Sequence, residues 1–312
     1  MSRKNRNPFP IIADPHKHAI VEGLRSLSQK RHPYTVFCDF IEISAILLSN
    51  RTDFSNVEKR KIRYAEIIKK YTDDEQSSFA TMLHELVLCY QQRVDSLGPA
   101  GLRNDIENIG DILGSIYMQL EIANERMAQF FTPYNVSTAM ATMMFGGENQ
   151  VREMVREHGF ATLLDPCCGA SGMIVAAAQA FHQLGFNYVE QFHATCVDID
   201  PVCVHMSYLQ LSLLGIPAVI IHGNSLTMES WDTWYTVPHI LAGWGRRLRR
   251  RREQEKEKEA IRQVQSLLQS AGETPAPEAT PTQETHYASK LRLPPPAARA
   301  NPAPQTPRPP SP

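Results

Sequence analysis

Asp165-Pro166-Cys167-Cys168-Gly169-Ala170-Ser171-Gly172 is the stretch on which the reading of this chain turns. A short apolar run, residues 161–164, precedes it, and residues 174–184 follow with apolar groups at helical spacing. That pattern spells strand, tight turn, helix. Gly169 and Gly172 allow the backbone to approach a ligand closely, and the helix behind them offers free N–H groups. The dinucleotide fingerprint G-x-G-x-x-G has a different spacing and uses such groups for a pyrophosphate. Here Asp165 closes the strand, which disfavours a phosphate and suits a cationic amine.

The alternation continues outward. Residues 193–197 read as a second strand, 202–214 as a helix, 218–221 as a third strand and 233–240 as a fourth. Strands separated by helices imply crossovers and a parallel sheet. Asp198 ends the second strand, 33 residues after Asp165, with Ile199 beside it. A carboxylate at that place can accept both hydroxyls of a ribose. Asn224, Ser225 and Leu226 follow the third strand, with Asn224 26 residues beyond Asp198. An Asn side chain can pair with the edge of an adenine. An amine site, a ribose site and an adenine site together describe S-adenosylmethionine as the expected cofactor.

With Gln129-Phe130-Phe131-Thr132-Pro133 ahead of the first strand, the order of segments resembles the adenine-specific DNA methyltransferases, in particular the modification subunit of type I restriction–modification systems. In that family a Gln-aromatic-aromatic-Thr-Pro segment precedes the cofactor strand. The resemblance implies that Gln129, Thr132 and Pro133 border the methionine end of the cofactor. Asp165, Pro166, Gly169 and Gly172 match the family's glycine motif, with Ser171 between the last two, and Asp198 matches its ribose-binding acid. Asn224 stands where the family usually has Asp. The implied fold is α/β: a Rossmann-like methyltransferase core behind a helical N-terminal domain. The implied activity is N6-adenine DNA methylation. The resemblance spans residues 14–226, and its motifs concentrate between 129 and 226.

Methylation of an adenine N6 amine is hard because the lone pair is delocalised into the ring. The family meets this with an Asn/Asp-Pro-Pro-aromatic loop after strand four, whose acceptors take the amine's hydrogens and whose ring stacks on the flipped base. No such tetrapeptide occurs in these 312 residues. Aligning Trp231-Asp232 with the family's Phe-Asp puts Val237, Pro238, His239 and Ile240 in the loop position. Val237 has no acceptor, Ile240 has no π-face, and His239 has no visible orienting partner. No catalytic residue is therefore assigned. The sheet also reads as short, ending after strand four in an order 3-2-1-4 with strand four as an open edge. Trp231, Trp234, Tyr235 and Trp244 are expected near that edge, where a second copy would meet it. Three functions stay open: a DNA methyltransferase-like protein with an altered loop, a non-catalytic regulatory or decoy relative, and a methyltransferase acting on RNA or protein.

The remaining sequence is divided as a helical domain over 1–126, the cofactor-binding domain over 127–241, an Arg-rich helix over 242–270 and a Pro-rich tail over 271–312 expected to be disordered. About five helices are expected in the first segment, two of them opened by capping boxes, Ser55 with Glu58 and Thr72 with Glu75. Net charge is -1, but six of the seven residues from 246 to 252 are Arg. Arg246, Arg247, Arg249 and Arg250 are the candidate nucleic-acid contacts, with DNA as partner. Ion pairs Arg249–Glu253 and Arg251–Glu255 are the competing use of that charge. A specificity or restriction subunit is the other expected partner. The six cysteines carry no CxxC pair and no disulfide-like spacing. No metal-ligand spacing, no signal segment and no membrane-length apolar run stand out, so a soluble cytoplasmic protein is expected.

Overall fold

The structure, a computed structural model, describes residues 14–100, 109–120 and 131–272. The elements in order are α1 (Pro15–Leu27), α2 (Pro33–Ser49), α3 (Val57–Ile68), α4 (Asp73–Ser96), α5 (Ile112–Gln119), α6 (Tyr134–Phe145), α7 (Glu148–His158), β1 (Ala161–Asp165), α8 (Gly172–Gln183), α9 (Tyr188–Gln191), β2 (Phe192–Asp198), α10 (Pro201–Leu213), β3 (Ala218–Asn224), β4 (Glu229–Tyr235), α11 (Val237–Leu241) and α12 (Trp244–Gly272). The chain divides into two compact units at Lys258/Glu259. Of the second unit, only the last part of α12 lies among the described residues. The expected boundary at 126/127 and the tail from 273 onward fall outside them.

The first unit is mixed α/β, with one four-stranded sheet among the described residues. Of the two capping boxes expected in the helical region, Thr72 and Glu75 form theirs reciprocally. Ser55 does not: α3 begins at Val57, because the Asp53 carboxylate takes the Ser55 N–H at 3.0 Å and a side chain of α3, Arg60, at 2.7 Å. Arg60 and Asp53 are both buried, and the guanidinium lies 4.1 Å over the Trp234 ring. A buried pair of this kind holds only while both partners are present.

The sheet corrects the expected topology. Strands β1, β2 and β3 are parallel neighbours as read, but the order is β1-β2-β3-β4, and β4 runs antiparallel to β3. The physical reason is the connection. Four residues, 225–228, join β3 to β4, whereas a parallel return needs a crossover of a dozen residues or more. Asn224 turns the chain by accepting the N–H groups of Leu226 and Thr227 on Oδ1, and Met228 adopts φ +60. A side chain at Gly223 would meet the Glu229 carbonyl at 2.2 Å, where the ladder shifts register. Among the described residues β1 is therefore an edge strand too.

One face of the sheet carries the core. Phe192, Ala194 and Cys196 of β2, with Ala218 and Ile220 of β3, are buried beneath α8 and α10. Alternation puts Thr162, Leu164, Thr195, Val197, Val219, Ile221 and Tyr235 on the other face. These are exposed or half-buried, Leu164 by 63%. Among the described residues that face is closed at one end, where His193 meets His239 of α11 (2.9 Å between ring nitrogens) and the fully buried Trp244 of α12. Trp234 is likewise buried, against Tyr208 and His205, while Trp231 and Tyr235 stay partly exposed. The four aromatics thus serve different layers and form no single cluster.

Two outcomes test this packing. Asp53→Ala should lower unfolding free energy by about 3–5 kcal/mol, because it strands a buried guanidinium; a urea midpoint within error of wild type would contradict the pair's structural role. Burial depresses the pKa of His193 to about 3 and of His205 and His239 to about 4, with His239 adding its charge at His193. Their unfolded values near 6.5 are higher, so the unfolded chain binds more protons below that pH. Stability should be fully present above pH 6.5 and fall as pH drops toward 4. A denaturant midpoint that stays level across that interval would be incompatible with neutral buried rings.

Candidate cofactor pocket

The turn between β1 and α8 is held from three sides. Cys168 donates its N–H to the Val197 carbonyl at 3.0 Å, and Gly169 donates to Asp198 Oδ2 at 2.8 Å. The Ser207 hydroxyl of α10 donates to the Gly169 carbonyl at 2.7 Å and accepts from Ser171 Oγ at 2.8 Å. Gly169 has φ +53, and a Cβ there would press on the Phe131 ring at 3.0 Å. The glycine is thus required both by its conformation and by the neighbour across the turn. Ser171 also has positive φ, 66, and is fully buried; it supports the turn and is not among the residues that line the cavity beside it.

These constraints leave a cavity of about 620 Å³ at the C-terminal ends of the parallel strands. Phe131 and Thr132 line one side, Met140 and Met144 of α6 another, and Leu163, Leu164, Asp165, Gly169 and Gly172 the floor. Asp165 and Asp198 both border it, and so does Asp111, the N-cap of α5. Burial raises the pKa of all three above the usual carboxylate value; at Asp165 the Asp198 charge adds to the rise. Hydrogen bonds work against burial, from the Cys167 N–H at Asp165 and from the Asp200 and Gly169 N–H groups at Asp198. Among the described residues, no Lys, Arg or His lines the cavity. Three carboxyl groups gathered in this way make an acidic recess suited to a positively charged ligand.

The structure brings together most of the residues expected at the methionine end and fewer of the others. Thr132, Asp165, Gly169, Gly172 and Asp198 border the cavity. Pro133 caps α6 behind Thr132. Gln129 lies outside the described residues. Ile199 is exposed beyond Asp198, with the His222 ring bonded to its carbonyl. Asn224, Ser225 and Leu226 form the β3–β4 turn and do not line the cavity; the Asn224 oxygen expected at an adenine is engaged in that turn.

Val237, Pro238, His239 and Ile240 are not at the pocket. They form α11, which follows the reversed β4 and so stands at the N-terminal ends of β1–β3. The loop register drawn from Trp231-Asp232 assumes a parallel strand, and the hairpin removes that premise. His239 has the partner that sequence could not show, His193, and belongs to the packing under Trp244.

Asp111 is the residue that sequence reading missed. Its signal was a helix-cap pattern, Asp followed by Gly three residues on, and Gly114 does donate its N–H to Asp111 Oδ1 at 2.8 Å. Nothing local says that the same carboxyl group borders a pocket whose acidic turn begins 54 residues later, at Asp165. Gln210 of α10 arranges this. Its Nε2 donates to Asp111 at 3.0 Å and to the Ala170 carbonyl at 2.8 Å, and its Oε1 accepts from the Tyr90 hydroxyl at 2.6 Å and the Leu113 N–H at 3.3 Å.

Among the described residues no cluster of His, Cys, Asp and Glu has metal-binding geometry, and no helix is long and apolar enough to cross a membrane. All six cysteines are free, and only Cys167 is exposed.

Residues 107–260 match the model of the N-6 DNA Methylase family, from the approach to α5 through the first half of α12. The chain resembles the adenine N6 DNA methyltransferases over that stretch, which supports a methyltransferase-like function connected with DNA methylation. That family generally uses S-adenosylmethionine. No curated protein and no solved structure matches the chain.

Gln210→Ala should cost at least about 1–3 kcal/mol for each buried partner it leaves unsatisfied. It should also loosen the pocket, read as faster amide exchange at residues 168–172. Unchanged exchange there would separate Gln210 from the pocket.

Proposed function

We propose that the protein is an N6-adenine DNA methyltransferase-like protein that binds S-adenosylmethionine in this pocket. The observation that carries the proposal is the acidic recess, with Asp111, Asp165 and Asp198 converging on a cavity that no basic side chain among the described residues enters. S-adenosylmethionine carries a sulfonium and an ammonium and no phosphate, so its charge suits the recess where that of a dinucleotide does not. The cavity is of the size that holds a cofactor of this class. Asp165 and Asp111 would hold the amine, Asp198 the ribose hydroxyls, and Thr132 and the Gly169 turn would border the methionine end. When bound, the cofactor supplies an electrophilic methyl group. The Rossmann-like relationship of the sheet, the kinship with type I modification subunits and a specificity or restriction subunit as partner belong to the same proposal. DNA is the proposed substrate, with the arginines of α12 as its other contact.

A second reading, a non-catalytic binder in a restriction–modification context, is favoured by one observation. The pocket is lined by acids, methionines and Phe131, and the segment aligned with the catalytic loop lies at the other end of the sheet. The acceptor and stacking platform that the family places after strand four are therefore not supplied by Val237–Leu241.

Calorimetry with S-adenosylmethionine tests the pocket. Wild type should bind, and Asp165→Ala should lose at least tenfold in affinity; equal affinity would sink the assignment of Asp165. Because the Asp165 pKa is raised, its charge should be lost at a higher pH than for an ordinary carboxylate. Affinity should fall as pH drops through that raised value, starting at a higher pH than an ordinary carboxylate would give, with a flatter profile for Asp165→Asn. Transfer of radiolabelled methyl to unmethylated DNA separates the two readings. N6-methyladenine formed by wild type and abolished in Asp165→Ala would exclude the non-catalytic one.

A further inference from the structure

The arginines of α12 occupy the end of the helix where they stabilise it least. The N-terminus of a helix carries partial positive charge, and cations there are unfavourable. The first turn holds no acid. Arg246, Arg249 and Arg250 also stand at i, i+3 and i+4, where like charges repel by a few tenths of a kcal/mol per pair. Two neighbours are accounted for within the fold. Arg247 lies 3.8 Å over the Trp244 ring and donates to the Glu190 carbonyl, and Arg251 pairs with Glu255 at 2.7 Å. Arg246, Arg249 and Arg250 are exposed to solvent, and no ion pair of theirs is formed among the described residues.

Arg246 and Arg249 open onto a groove of about 610 Å³ between α12, the end of β4 and the turn after α2. Its far wall is Phe54, 77% exposed, and its near wall is Tyr235, 38% exposed. Asp53 is the one acid among its described lining residues, and that carboxylate is already paired with Arg60. The buried hydroxyl of Thr52, also in the lining, has no hydrogen-bond partner. The groove lies at the strand ends opposite the acidic pocket, since β4 reverses direction. A basic track beside exposed aromatic rings is the arrangement that holds a nucleic-acid strand by its phosphates and stacks its bases.

We infer that this groove is a binding site for single-stranded nucleic acid, with phosphates on Arg246 and Arg249 and a base on Phe54. The inference narrows the set of arginines expected to meet nucleic acid, since Arg247 is committed to Trp244. It rests on the proposed function only in taking nucleic acid as the partner, and it requires neither the cofactor nor the acidic pocket.

Fluorescence anisotropy with a labelled single-stranded oligonucleotide, titrated at several salt concentrations, tests it on the full chain. Arg246→Ala/Arg249→Ala should bind at least about tenfold more weakly at low salt. The slope of log affinity against log salt should shrink by about 1.4, because two phosphates of the single strand are no longer neutralised. Phe54→Ala should weaken binding by about 5- to 150-fold with the slope retained. All three side chains are exposed, so circular dichroism should match wild type, and calorimetry with S-adenosylmethionine on the same variants should be unchanged. Unaltered affinity and slope in the double arginine variant would overturn the site. So would binding of duplex in preference to single strand with no effect of Phe54→Ala. Oligonucleotide binding left intact in Asp165→Ala would support the groove as a separate site, whether or not the wild type binds the cofactor.

Discussion

Gln210 is the side chain on which the arrangement of this protein most depends. It is fully buried and spends its amide on four partners from different parts of the chain: Tyr90 on α4, Leu113 on α5, Asp111 at the cap of α5 and Ala170 in the turn after β1. An amide has two donors and two acceptor lone pairs, so the group is saturated. In a low-dielectric interior, a fully satisfied network of this sort specifies one packing and penalises others. It fixes the helical region against the pocket turn, and it delivers a third carboxylate, Asp111, to a recess that already has two. Ser207, one turn earlier on α10, holds the same turn through Gly169 and Ser171. The pocket is in this sense made by α10 as much as by the glycines that border it.

The acids clustered there work against the fold in the absence of a counter-charge. Their raised pKa values mean that ionising them costs more in the folded chain than in water. At neutral pH that cost is carried by the native state, and a cationic ligand would offset it. At the opposite strand ends the sign reverses, with arginines gathered at a helix start. The molecule therefore presents an acidic recess and a basic groove at the two ends of one sheet. This polarity is invisible in a net charge of -1.

The reversal of β4 has the widest consequences. It carries α11 and α12 to the N-terminal strand ends and seals one end of the second sheet face with Trp244 and the histidine pair, while Leu164 at the other end is exposed. It also sets Asn224, expected as a ligand contact, in the turn that closes a hairpin.

Much of this was legible in the chain. The strand–turn–helix around Asp165 to Gly172, the parallel run of three strands, the helical region before them and the identity of two pocket acids all follow from local periodicity and from residues whose chemistry acts at short range. The length of the β3–β4 connection was also in plain view, and four residues admit only a hairpin; a fourth strand read over 233–240 starts four residues late and conceals it. What the sequence by itself determined is therefore the set of local elements and the acid-bearing strand ends, because backbone sterics and alternation act between near neighbours. What only the tertiary structure decided is where distant segments meet: Asp111 at the pocket, His239 against His193, and Arg246 across a groove from Phe54. These groups stand far apart along the chain, and the energy of their meeting exists only once the sheet and its helices have closed.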